Sequence, residues 1–352
     1  MSHIYQTNRL GRIVKQQGVE FLHFSGTAYL GMVALPEFEE LLVRGIGKHG
    51  PNHGSSRGSN IQLPIYRYFE EHFATGAGAP DALLLSSGFM AGQLAVQTLL
   101  KQADLTWVAP DTHPAVLPQG HLAPSGIDFK SWAYHCIERA ESLIGQKILF
   151  ISNAANPLKP EIHDFDWMKN LPKTNQYFLL IDDSHAFGVL GNSIYGTYAQ
   201  WNHLPAKLMV CGSLGKALSL PAGIILGDPQ LLDSARTTPI YRSSSPPSPA
   251  FLEAFVSGQS LYHAQKKLLK GHIEWINIQL ENRDAFMVLD NYPVITFQNA
   301  EWVEILFRKK IIVSSFPYPG MDDPSVNRII LSAYHTKEDL VYLLDQLKKL
   351  NP

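Results

Sequence analysis

Cysteine is nearly missing from this chain of 352 residues, which has two, Cys136 and Cys211. Two thiols make neither a disulfide framework nor a metal-ligand spacing, so no metal is expected and a reducing compartment suits the chain. No uninterrupted apolar run reaches the length that crosses a bilayer, and the opening stretch MSHIYQTNRLGRIVKQQG lacks the apolar core of a secretory leader. A cytoplasmic protein without membrane contact is the expectation. Neither sign of charge is in excess, because the formal net charge is -2. That leaves no electrostatic footprint for nucleic acid and favours a small molecule or a folded partner. A G-x-G-x-x-G turn is also missing, so nothing marks a dinucleotide site. Internal repeats and low-complexity tracts are absent as well.

What is present is an ordinary globular composition, 45% hydrophobic and 17% charged, long enough for one large domain and a smaller one. From residue 81 onward short apolar runs alternate with longer amphipathic ones. "DALLLSS", "LTWVAP", "KILFIS", "QYFLLIDD" and "LMVCGS" read as buried strands, with helices over 89–100 and after Ser131 between them. Such alternation predicts an α/β fold: a mostly parallel sheet sandwiched by helices, with its ligand at the carboxyl ends of the strands. Both chain ends feed a second, smaller α+β unit. It would draw on a strand at "VEFLHFS", a long helical stretch from 249 to about 280, strands at "PVITF", "KIIVSSF" and "RIILSAY", and a closing helix capped by Thr336. A helix over 35–49 carries Pro36 in its first turn. The Pro-rich "SSSPPSP" marks a boundary, which divides the chain into 1–35, a segment joining the small domain, 36–248, the large domain, and 249–352, the small one.

Every chemically suggestive residue follows one of the strand-like runs. In "MVCGSLGKALSLPAG" Lys216 stands among Ser213, Gly215, Ala217 and Ser219, which leaves room beside it for a flat ligand. Partial desolvation would make its amine a nucleophile. Alone, such a lysine is more often a surface group with its head in water. "FLLIDDSHAFGVLG" supplies Asp182 and Asp183 at a strand end and His185 three residues after the first acid. An acid there can keep a heteroaromatic nitrogen protonated, and a histidine can meet a phenolic oxygen on the same ring. "LLLSSGFMAG" offers Gly88 and the first helical amides of Phe89 and Met90 as an anion site. "APDTHPAV" brings His113, able to lie on an aromatic ring, and "VNRIILSAYHT" brings Arg328, whose fork suits a carboxylate.

In this order the stretches resemble the α-oxoamine synthase family of fold type I pyridoxal-phosphate enzymes, over nearly the whole chain from "LHFSGTAYLGM" to "RIILSAYHTKEDL". The resemblance implies pyridoxal phosphate as cofactor and a homodimer with a shared site. It makes Lys216 the imine-forming lysine, Asp182 the partner of the pyridine nitrogen, His185 the neighbour of the phenolic oxygen and His113 the stacking ring. Gly88, Phe89, Met90 and Ser213 would hold the phosphate, with Ser243 or Ser244 reaching the neighbouring subunit's. Arg328 would take the substrate carboxylate, close to Thr27.

The implied reaction joins an amino acid to an acyl-CoA with loss of carbon dioxide, as in 8-amino-7-oxononanoate synthesis. The chain departs from the family where an Asn pair becomes Thr27 and Ala28, where Gly and His become Ile61 and Tyr66, and where an Arg becomes Tyr195; Arg57 matches. In "SNAANPLKPEI" the Asn156-Pro157 pair is similar to that of class I aminotransferases, whose Asn meets the cofactor's phenolic oxygen. Transamination is therefore the alternative.

Overall fold

The computed structural model describes residues 4–281, 284–318, 320 and 323–351. The outermost ends of the expected domain ranges, 1–3 and 352, lie outside the described residues. Eleven strands form two sheets among these residues. They are β1 (Ile13–Gln16), β2 (Val19–Phe24), β3 (Asp81–Leu85), β4 (Leu105–Val108), β5 (Lys147–Asn153), β6 (Gln176–Asp182), β7 (Lys207–Ser213), β8 (Gly223–Gly227), β9 (Val294–Phe297), β10 (Ile311–Pro317) and β11 (Ser325–Ile330).

The larger sheet has the order β3-β8-β7-β6-β5-β4. Strands β4 to β7 run parallel, and β8 runs antiparallel to both its neighbours. Leu149, Ile151, Leu180, Ile181, Val210 and Ile224 have no exposed surface. Burial on both faces is why these strands read as unbroken apolar runs instead of alternating ones. The helix Gly88–Leu100 packs on β7 and β8, and the approach is so close that Gly223 faces the Ser87 carbonyl, where a Cβ would lie 2.1 Å away.

The smaller sheet, β1-β2-β10-β11-β9, is built from both ends of the chain. Its ends meet where β2 pairs in parallel with β10, Leu22 opposite Ile311. Thr336 caps the helix Lys337–Leu350 in a reciprocal box with Asp339. The long helical stretch after 249 is two helices, Pro249–Ser257 and Gln259–Leu280, parted at Gly258. There a Cβ would approach the Ala254 carbonyl to 2.8 Å. Among the described residues no helix is long and apolar enough to cross a membrane.

Candidate active site

Three neighbouring parallel strands end on one edge of the large sheet, in register: Asn153 of β5 opposite Asp182 of β6, and Asp182 opposite Cys211 of β7. These ends and the loops leaving them carry Asn156, Asp182, His185, Ser213 and Lys216. Asp182 is 6% exposed and its Oδ1 accepts the Ser184 amide at 2.8 Å. Ser184 Oγ in turn accepts the Ser213 amide at 2.9 Å, which ties the turn after β6 to the end of β7.

Asp183 goes the other way. It is fully buried, and its two oxygens accept the Thr197 amide and hydroxyl at 2.6 and 2.8 Å. Burial pushes its carboxyl up to about 7. Between about pH 4 and 7 the folded state therefore holds a proton that the unfolded chain has released, and stability falls as pH rises through that window. Asp183→Asn should flatten that slope and gain on the order of 2–4 kcal/mol at neutral pH. Urea titrations at pH 4.5 and 7.5 measure the slope; one equal to wild type would place the buried charge elsewhere.

Lys216 is half-buried in the loop after β7, with Nζ 2.8 Å from His185 Nε2. Desolvation lowers its amine to about 8, with Asp182 pulling the other way and Arg328 adding to the fall. The other nitrogen of His185, Nδ1, lies 2.9 Å from the hydroxyl of Tyr29. Burial first, then the charge of Lys216, holds the His185 ring well below its ordinary value. His113 is half-buried at the head of a short turn, its backbone N–H donating to Asn153 Oδ1 at 3.1 Å and its Nδ1 accepting from Ala115 N–H at 3.1 Å. It sits within electrostatic reach of both Asp182 and Lys216.

Gly88 begins its helix against Ser213, where a Cβ would lie 2.4 Å from that serine's Cβ. Only glycine allows the two backbones this close. The Met90 amide is not free for a ligand, because Ser87 Oγ accepts it at 3.2 Å. The first-turn amides of Gly88 and Phe89 have no intrahelical acceptor. Phe89 is 58% exposed. Ser243 is exposed, whereas Ser244 gives its hydroxyl to the Ile240 carbonyl and lies 3.4 Å from Met90 Sδ of the same chain.

Arg328, in β11, is 8% exposed and has no carboxylate partner among the described residues. One guanidinium nitrogen donates to the Pro157 carbonyl, the group lies 4.9 Å over the Phe316 ring, and its Nε has no partner. A buried, donor-rich cation with a spare donor is built to accept a carboxylate.

Thr27 opens the turn to Tyr29, whose amide takes the Thr27 carbonyl at 2.8 Å. Asn156 has its side chain engaged by the protein itself. Its Nδ2 donates to Asp111, in the loop after β4, and to Glu161, and its Oδ1 accepts the Leu158 amide. Packing absorbs two of the other departures, whereas Ile61 is exposed. Tyr66 is buried with its hydroxyl on the Pro247 carbonyl, and Tyr195 bonds Gln259 at 2.7 Å. Arg57 forms a buried pair with Glu70 at 2.7 Å.

Reading the sequence missed Tyr29, Tyr292, Ser184 and the Pro157 carbonyl. Tyr29 and Ser184 stand inside quoted motifs, but nothing local marks Tyr292. A cavity of about 780 Å³ is lined by Ala154, His163, Gly188, Thr197 and Lys266 and does not include Lys216.

A family model described as aminotransferase class I and II matches residues 27–347. The 8-amino-7-oxononanoate synthase of Nitrosospira multiformis is 27% identical over 95% of this chain and 88% of its own length. Serine palmitoyltransferase from S. paucimobilis, solved with a bound PLP-myriocin aldimine, superposes with a TM-score of 0.83 at 16% identity, covering 98% of this chain and 92% of that one. The 8-amino-7-oxononanoate synthase of Francisella tularensis superposes with a TM-score of 0.72 at 20% identity, over 94% of this chain and 97% of its own. The shared fold is a mixed α/β one with two sheets.

Proposed function

From the premise that this chain belongs to the aminotransferase class I and II family, we propose that it is a pyridoxal-phosphate-dependent acyltransferase. It joins an amino acid to an acyl-CoA with loss of carbon dioxide, as 8-amino-7-oxononanoate synthase does. The observation that carries this reading is the desolvated Lys216 amine, 2.8 Å from His185 and on the same strand edge as the buried Asp182.

The residues present fit the cofactor. Contact between Gly88 and Ser213, where a Cβ would stand 2.4 Å away, makes a backbone cradle at a helix start for a phosphate. Asp182 supplies the buried carboxylate that a protonated ring nitrogen needs, and Lys216 supplies the amine. When bound, pyridoxal phosphate supplies a positively charged ring that draws electron density from a substrate's α-carbon.

The chain's own residues do the rest. With its amine lowered to about 8, Lys216 is neutral in roughly a tenth of molecules at pH 7, against about 1 in 3000 for an ordinary lysine. In that form its Nζ takes the substrate's α-proton. Arg328 holds the carboxylate through its unpartnered Nε. Asp182, 6% exposed and anchored through the Ser184 amide, would be the partner of a protonated ring nitrogen. Ser243 and Ser244 belong to the expected dimer contact, which would complete the site, and the cytoplasm is the compartment this chemistry suits.

Transamination is the second reading, motivated by Asn156-Pro157; the bonds of Asn156 to Asp111, Glu161 and the Leu158 amide support the first reading over it. The test is release of free CoA thiol by protein loaded with pyridoxal phosphate, given glycine, L-alanine or L-serine with short and long acyl-CoAs, pimeloyl-CoA included. Thiol released only when both substrates are present is the expected result. No thiol from any pair, with the amino acids converting the cofactor to its amine form, would overturn acyl transfer in favour of transamination.

A further inference from the structure

Lys216 is an ammonium at neutral pH, and an ammonium has three donors and no acceptor. Its 2.8 Å contact therefore makes His185 Nε2 the acceptor. The ring is neutral, since burial and the charges of Lys216 and Arg328 disfavour its cation. A neutral imidazole with a bare Nε2 carries its proton on Nδ1. That proton needs an acceptor, and the Tyr29 hydroxyl stands 2.9 Å away.

Tyr29 is fully buried, and its hydroxyl faces that of Tyr292, itself 2% exposed. A phenol oxygen has two lone pairs, so that of Tyr29 can accept from His185 and from Tyr292 together. Its backbone is fixed independently: the Tyr29 carbonyl accepts the Ala333 amide at 2.9 Å, and Ser332 Oγ bonds the Ala28 carbonyl at 2.7 Å. A line of groups runs from Tyr292, just before β9, through the segment after β2 and the turn after β6, to the loop after β7.

We propose that Tyr29, backed by Tyr292, is a positioning residue that holds His185 in its Nδ1-protonated tautomer and so keeps a lone pair aimed at the Lys216 amine. This rests on Lys216 being the reactive amine and is independent of which amino acid or acyl donor is used. Without the phenol, Nδ1–H is buried with no acceptor, and the ring is free to move its proton to Nε2. A donor would then face a donor, and the Lys216 ammonium would lose the partner that stabilises it.

The test uses cofactor-free protein labelled with nitrogen-15 at histidine. In wild type the His185 Nδ1 should resonate as protonated and Nε2 as bare. Tyr29→Phe should populate the reverse pattern and lower the Lys216 titration midpoint by about one unit. That midpoint is read from the pH dependence of reductive methylation with formaldehyde, located at Lys216 by mass spectrometry. Tyr292→Phe, which leaves the Tyr29 ring in place, should shift both readings the same way but less, and it carries the test should Tyr29→Phe fail to fold. Folded variants that keep the wild-type tautomer and midpoint would overturn the proposal. Because no substrate is present, failure of acyl transfer and failure of this relay are read separately.

Discussion

Lys216→Ala is expected to leave a folded protein that binds pyridoxal phosphate only reversibly and turns over at least roughly 10²–10⁴-fold more slowly. The fold should tolerate the change because the amine is a cost to the folded state. Desolvation lowers it to about 8, and its one hydrogen bond is to His185, so nothing structural depends on it. The decisive measurement is intact mass after borohydride reduction: wild type gains the reduced cofactor and the variant does not. Thermal unfolding of the cofactor-free proteins should differ little. A variant that retains wild-type turnover would remove Lys216 from the centre of the site.

Arg328→Ala should move affinity and stability in opposite directions. A buried guanidinium with no carboxylate partner and an unpartnered Nε is poorly compensated, so its loss should cost little stability or raise it. Amino-acid binding should weaken by about 2–5 kcal/mol, the range for removing one side of a buried charged pair. An arginine that only braced β11 against the Pro157 carbonyl would behave otherwise, since its removal would lower the unfolding midpoint and spare the KM for the amino acid. That pairing of results would move the carboxylate site elsewhere.

Both predictions concern residues visible in the sequence, and the reason is physical. Buried parallel strands must be continuous apolar runs, so the polar residues that break them at Asp182 and Ser213 mark the carboxyl edge where a ligand sits. What escaped was set by contacts between distant segments. The direction of β8 cannot be read from "GIILG", because a five-residue apolar run pairs equally well either way. The break at Gly258 was lost inside a long helical pattern that tolerates one glycine. Met90 looked like a free helix-start amide, yet Ser87 is a capping serine visible one turn before it. Asn156 looked available because its partner Asp111 lies 45 residues away. Tyr292 reaches the site through the fold alone.

The parallel pairing of β2 with β10 also sets an order of events during synthesis. Leu22 must wait for Ile311, which at roughly 5–20 residues per second takes a ribosome about 15–60 s. The strands of the large sheet, through Gly227, all emerge before that. A nascent chain can therefore place Asp182 and Lys216 while Tyr29, held by the Ala333 amide, still hangs unplaced beside them. The groups that fix the His185 ring beside Lys216 are the last to arrive, and a truncated or stalled chain is left with the lysine but without the relay that orients its partner.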